Sequence, residues 1–369
     1  MDTTIFLVLI VVLIPLTGVI SAITPWLMRE NECFAVTVPA TAQKDPVIRG
    51  YKVRYTTSLL ILSLVCTVLI GVLIANASEQ VAMIVLTVSI FVVVIGSFLL
   101  MLHYRRAVLR LKDERGWHAQ TSIHAALVGE GDTPRPLPLA WEFLNVPVIV
   151  FTAAVSWMLY PSMPDQVPMH MDLSGNITSW VDKSPATMAF PLLVQVVIFV
   201  AMLFSHYMII HSKKAVDPAA PASSAYAYGL FAHAQSAFLV IFGILIDAVM
   251  VCLPLSFANV LTMSQSAVVV MVASLACVGG ALVLSVRYGQ AGSRVAGHVE
   301  GDDSLVDDDD ARWKLGVFYF NPTDASVFLH KRFGIGWTLN FARLQAWLMI
   351  GGLVLVIVIL VVASSVMFD

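Results

Sequence analysis

Apolar side chains along this chain arrive in uninterrupted runs, each long enough to cross a hydrocarbon core about 30 Å thick, which takes roughly 20 residues at helical rise. In lipid every run must satisfy its own backbone hydrogen bonds, so each is predicted to be a helix. The runs place eight transmembrane helices near 4–28, 56–77, 81–103, 140–161, 187–211, 226–256, 265–286 and 345–367. The first run has the length of a secretory signal, but Met1-Asp2-Thr3-Thr4 carry no positive charge and Arg29 follows it. It is predicted to be an uncleaved helix that enters with the N-terminus outside.

Composition supports the same solvent. Of 369 residues 59% are hydrophobic and 12% charged, and the mean hydropathy is +0.85. A water-soluble fold of this size is excluded. The predicted class is an all-α polytopic membrane protein with a small cytoplasmic β-meander. Cys33, Cys66, Cys252 and Cys277 lie far apart in sequence and form neither a disulfide framework nor a CxxC metal motif.

Charge orients the spans. Alternate loops collect every Lys and Arg except Lys183, and the positive-inside rule then puts both termini outside. The predicted organisation is helix one at 1–28, a basic cytoplasmic loop at 29–55, a helical hairpin at 56–103 and a cytoplasmic loop at 104–139. Residues 140–211 carry helix four, an outer loop and helix five, and 212–286 carry helices six and seven. A cytoplasmic acidic linker and the β-meander fill 287–344, and 345–369 hold the last helix. No internal repeat is evident.

The outer loop, 159–186, contains Pro161, Pro164 and Pro168, which forbid a continuous helix. His170 is predicted to meet Asp165, Asp172 and Asp182 there, with Trp180 beside them. One imidazole among carboxylates can hold a divalent cation or move a proton; the bland alternative is that these side chains only hydrogen-bond the loop into shape. A single histidine without HExxH is no metal motif. Asn176-Ile177-Thr178 is a glycosylation sequon.

Pro161, Pro164, Pro168, His170, Gly175, Trp180 and Lys183-Ser184, running on to Pro191, resemble the Pro-x-His…Gly…Trp…Lys-Ser segment of domain of unknown function 1648 over about 45 residues. That segment also occurs in SdpI-like membrane proteins, immunity and signalling partners of a secreted toxin peptide. The resemblance implies a loop that meets an extracytoplasmic peptide. Asp172 departs from the pattern, which favours Asn.

On the predicted cytoplasmic side, the alternation Phe34, Val36, Val38 predicts a short strand. The basic residues around it anchor at anionic head groups or bind a partner. Residues 313–341 alternate aromatic and β-branched runs with Pro and Gly punctuation, which predicts the β-meander, docked on helix ends or added as a strand to 33–38. The Asn321-Pro322…Asp324 turn and the Arg332-Phe333-Gly334…Gly336-Trp337-Thr338…Asn340-Phe341 run resemble domain of unknown function 5808. Trp313, Asn321, Asp324, Arg332, Trp337 and Asn340 are candidate contacts for a cytoplasmic regulator. Asp302, Asp303 and Asp307 to Asp310 are predicted to be a solvated linker.

Within the membrane, Asp247 and Gln195 come to similar depths, so that either the two hydrogen-bond or burial keeps Asp247 neutral. His206 and His233 are predicted to meet nearer the cytoplasmic side. Such groups serve as interhelical glue or as an ion path. The Gly pairs at 279–280 and 351–352 predict close helix packing.

No nucleophile elbow, phosphate loop, zinc signature or dinucleotide fingerprint is present. No recognised enzyme class, cofactor, metal or nucleic-acid partner is therefore indicated. The reading is a membrane binding or signalling protein whose partners are the lipid bilayer, an extracytoplasmic peptide and a cytoplasmic regulator. Two alternatives stay open: an ion- or proton-coupled transporter using Asp247, which requires a water-accessible cavity reaching it, and a membrane-embedded hydrolase centred on His170.

Overall fold

The computed structural model describes residues 3–76, 79–117, 133–172, 175–214, 220–295 and 308–368. They form α1 (Thr3–Ile23), α2 (Pro46–Asn76), α3 (Glu79–Arg115), α4 (Asn145–Leu159), α5 (Pro185–Ile210), α6 (Pro221–Val249), α7 (Cys252–Phe257), α8 (Met263–Tyr288) and α9 (Leu344–Phe368). Among the described residues seven helical stretches are long and apolar enough to cross a membrane, and Val11–Trp26 adds a shorter apolar helix. Leu64, Ile84, Phe91, Ile241 and Val283 are exposed, as they must be if lipid and not water surrounds them.

The helix ends differ from the hydropathy runs for physical reasons. α2 starts at Pro46 and α3 runs on to Arg115, because Lys and Arg are good helix formers and let a helix continue beyond its apolar part. The run at 226–256 breaks after Val249. Pro254 cannot donate to the residue 250 carbonyl, and its ring would crowd that carbonyl in a continuous helix.

α1, α2 and α3 share one core that includes Ile14, Ala22, Tyr55, Leu59, Ile70 and Met101. Gly18 permits it: a Cβ there would lie 2.1 Å from Ser63 Oγ, the hydroxyl that donates to the Ile14 carbonyl at 3.2 Å. α4, α5 and α6 pack together, and α8 lies on α6. Of the two Gly pairs only Gly280 is closely packed, with Phe238 2.8 Å from where its Cβ would be, whereas Gly279, Gly351 and Gly352 face open space. The packing role expected of 351–352 is not seen.

Among the described residues four antiparallel hairpins decorate the helix ends. They pair β1 (Glu32–Cys33) with β2 (Val36–Thr37), β3 (Gln166–Met171) with β4 (Ile177–Asp182), β5 (Trp313–Lys314) with β6 (Phe318–Tyr319) and β7 (Phe328–His330) with β8 (Trp337–Leu339). The strand expected through 34–38 is present only as Val36–Thr37, because Phe34 and Ala35, at φ 45° and 60°, form the tight turn that joins it to β1. Residues 313–341 form two hairpins joined by a single Tyr319–Asn340 bridge and not one meander; they add no strand to β1–β2. They dock on it through side chains, Phe333 lying 6.1 Å from the Phe34 ring.

Gln290 N donates to the Leu27 carbonyl at 2.9 Å and Gln290 Nε2 to the Lys331 carbonyl at 2.9 Å, while Lys213 N donates to Phe328 O at 2.9 Å. The ends of α1, α5 and α8 and the segment before α9 thus meet at one end of the molecule, the basic end. β3–β4 occupies the other.

Candidate functional site

At the hairpin end, β3–β4 is seated firmly. Val167 and Met163 are buried with Phe257 of α7, and Met171 Sδ accepts from Ser264 of α8 at 3.2 Å. The turn is closed by Asp172, which accepts from Asn176 N at 2.7 Å and Asn176 Nδ2 at 2.9 Å. Lys183 donates to the Met163 carbonyl at 3.0 Å, and Ser184 caps α5 by accepting from Thr187 N at 3.2 Å. The Lys-Ser of the motif therefore ends the hairpin and starts the helix.

The expected convergence on His170 is not seen. Its Nδ1 is bonded to Ser179 Oγ at 3.0 Å, and Asp182 meets Gln166 Nε2 at 3.4 Å. Asp172 is spent on the turn, and Asp165 is exposed. A bulge between Pro168 and Met171 interrupts the register and turns His170 out to solvent. Among the described residues no three of His, Cys, Asp and Glu gather in a way that would hold a metal ion. The outward face carries Gln166, Thr178, Trp180 and Asp182, with Trp180 52% exposed.

A seam of buried polar side chains runs between α4, α5 and α6. Gln195 Nε2 donates to Thr152 Oγ1 at 2.8 Å and to the Asp247 backbone carbonyl at 2.8 Å, so the two residues do bond, through the main chain of α6 and not through the carboxylate. His206 and His233 do not meet either. His233 Nδ1 bonds the Arg135 carbonyl at 2.8 Å, whereas His206 binds Glu142 Oε1 through Nδ1 at 2.8 Å and the Leu137 carbonyl through Nε2 at 2.9 Å. The extended segment before α4 has come between them. A carbonyl only accepts, so Nε2 carries a hydrogen and one further proton lies between Nδ1 and Glu142. Whichever atom holds it, the pair has no net charge.

At the basic end the stretch expected to be a solvated linker is an ion-pair lock, as far as it is described; Asp302, Asp303 and Asp307 lie outside the described residues. Arg332 is buried between Asp309, Asp310 and Glu32, and its Nη2 reaches Thr37 Oγ1 at 2.8 Å. Lys112 of α3 bonds Asp308 at 2.9 Å and Asp310 at 2.7 Å. Arg105 donates to the carbonyls of Ala35 and Trp313. Burial raises the Asp310 carboxyl, but Arg332 and Lys112 outweigh it and hold the group at about 2. Burial pushes the Cys33 thiol up to about 12, so it is an inert core residue and no nucleophile.

The remaining candidates are structural hubs. Asn340 is fully buried and donates to the carbonyls of Asn321, Asp324 and Ser326 at 2.9, 3.2 and 3.2 Å. Asp324 bonds Lys213 at 2.8 Å. Burial raises this carboxyl too, yet Lys213 and Ser326 bring it down to about 2. Trp313 packs on Tyr319 at 5.1 Å and Trp337 on Phe231 of α6 at 5.5 Å. Glu32 and Glu142 are acidic residues with partners that no sequence motif marks; the signal for Glu142 was a lone carboxyl at the mouth of an apolar run.

Comparison with known families places two matches on these structures. Residues 148–194 match the family described as domain of unknown function (DUF1648), which covers most of α4, all of the hairpin and the first part of α5. Residues 322–347 match the family of unknown function (DUF5808), covering β7–β8, Asn340 and the start of α9. No curated protein and no solved structure matches the chain.

Proposed function

We propose that this multi-pass membrane protein binds an extracytoplasmic peptide on the outward face of β3–β4 and meets an intracellular regulator through the locked segment at its basic end. The observation that carries the reading is Trp180: a large aromatic side chain 52% exposed on a hairpin held from beneath by Val167, Met163 and Phe257. A half-buried aromatic on a rigid support is the type of group that dominates recognition surfaces, because little conformational entropy is lost when a ligand covers it. The positive-inside partition supports putting this hairpin outside. The likeness to SdpI-like proteins supports a secreted peptide as the ligand and a plasma membrane as the location.

The test is protection. Bacteria expressing the chain are challenged with membrane-active secreted peptides, and survival is compared with that of cells carrying Trp180→Ala at matched abundance. Wild-type survival should exceed that of the variant by about tenfold or more, the scale of a hot-spot residue. No protection by the wild type, or equal protection by both, would remove the reading. If Trp180 serves only as an interfacial anchor, the variant will lose abundance without losing protection.

A further inference from the structure

α4 projects Asn145, Thr152 and Ser156 from one face, spaced by seven and four residues, into the interface with α5 and α6. Relative exposure is 0% for Asn145, Thr152, Gln195 and Asp247 and 2% for Ser156. Both amide hydrogens of Gln195 are committed, to Thr152 and to the Asp247 carbonyl. Since a carbonyl accepts only, the amide cannot be flipped, and its oxygen is the atom left over. Thr152 donates in turn to Val148 O at 3.1 Å.

What remains unpaired in this seam among the described residues is Asn145 Oδ1, Ser156 Oγ, Gln195 Oε1 and both carboxylate oxygens of Asp247. All five are oxygens. Asn145 approaches α6 one turn from Asp247, its amide atoms 3.2 and 3.3 Å from where a Cβ on Gly243 would be. Among the described residues no charged group opposes Asp247. Glu142 and His206 neutralise each other about three turns nearer the basic end, Arg287 closes α8 at that same end, and Lys183 is held by the Met163 carbonyl and the Tyr160 ring. An ionised carboxylate buried in a membrane helix without a counter-charge costs several kcal/mol. An unpaired carboxylate beside an unpaired amide oxygen offers only oxygen donors, the type that a small hard cation takes.

We propose that Asp247, with Gln195 Oε1 from the side chain that already bonds its backbone carbonyl, forms an intramembrane site for one small monovalent cation, H⁺ or Na⁺, bound between α5 and α6. One carboxylate balances one positive charge, which disfavours a divalent ion. As a proton, the cation makes Asp247 a donor and gives Gln195 Oε1 its missing partner. As Na⁺, it is ligated by the same oxygens. This site is independent of the hairpin reading.

Purified full-length protein in detergent tests it by two readouts. The first is melting temperature in NaCl against choline chloride at equal ionic strength and pH 8. The second is the infrared carbonyl band of a protonated carboxyl, followed from pH 5 to pH 9. A Na⁺ site predicts a saturable rise in melting temperature that Asp247→Asn lacks, and a half-saturating Na⁺ raised about tenfold in Gln195→Met. A proton site predicts no Na⁺ effect, and a carboxyl band that is lost as pH rises and is absent in Asp247→Asn. A wild type with no Na⁺ dependence and an unchanging band would show a carboxyl that neither takes Na⁺ nor exchanges its proton, a structural group and not a cation site, and would overturn the proposal. Both readouts are made on the wild type, so they decide the matter even if Asp247→Asn fails to fold.

Discussion

Lys112 Nζ stands 2.7 Å from Asp310 Oδ2, an ion pair that ties the end of α3 to a segment 198 positions later in the chain. With Arg332 on its other side, Asp310 is the point where α3, the β1–β2 loop and the C-terminal hairpins are held together. Neither neighbour in space is a neighbour in sequence.

Replacing Arg332 by Met should therefore undock the hairpins and leave the helices in place. Removing one partner of a buried pair strands the other charges at a cost of about 3–5 kcal/mol, and here Lys112 still serves Asp310, so the low end is expected. Proteolysis should then cut 313–341 at least tenfold faster than in the wild type, with helical circular dichroism unchanged. Equal cutting rates would show that the lock contributes no stability.

Acid should release the same segment. Asp310 and Asp324 are both held at about 2 in the fold, below the ordinary value near 3.9. Their stabilisation is thus present above pH ~4 and is lost as pH falls towards ~2. Trp313, which donates to Asp309 Oδ2 at 3.2 Å, is the reporter. Its emission should shift to the red across that window, and the shift should begin at higher pH in Lys112→Met, where one of the charges that depress Asp310 is gone.

Gly229 lies where the extended stretch before α4 crosses α6, and a Cβ there would come within 2.3 Å of the Pro134 carbonyl. Gly229→Ala should push that stretch away and loosen the His206–Leu137 contact beside it, with a destabilisation of about 1–3 kcal/mol. Thermal unfolding in detergent measures it. A melting curve superimposable on that of the wild type would mean that the strand is not held there.

The helices could be read in the sequence because a membrane span is a local property: twenty apolar residues suffice, whatever lies beside them. That the segment between α4 and α5 is not helical was also foreseeable, since Pro161, Pro164 and Pro168 exclude a helix, but its pairing into a hairpin was not. Nor was the lock. Asp308 to Asp310 form an acidic run that reads as solvated until the fold brings Arg332 and Lys112 to it. The Gln195 contact shows the same limit: depth along two helices places residues at one level, but only rotation about each axis decides that Gln195 meets a carbonyl and leaves the Asp247 carboxylate unpaired.

Orientation is settled by labelling. The four native cysteines are buried, so single exposed cysteines can be added to the wild-type chain. An impermeant maleimide applied to intact cells should label Asn176→Cys and spare Lys44→Cys and Lys314→Cys, with the reverse pattern in inside-out vesicles. Labelling of position 44 or 314 from outside would invert the topology and move the hairpin to the interior.

His170 separates two accounts of the hairpin. Its imidazole is exposed and makes one hydrogen bond, to Ser179 Oγ at 3.0 Å, while the seat of the hairpin is formed by Val167, Met163 and Phe257. A single exposed hydrogen bond contributes about 1 kcal/mol or less, so His170→Ala should retain wild-type abundance and nearly the wild-type melting temperature. In the protection assay it should resemble the wild type, because the proposed contact is Trp180 on β4 and not the bulge on β3. Protection that is lost in a stably folded His170→Ala would show instead that the imidazole itself meets the ligand. The recognition surface would then have to be redrawn around the bulge.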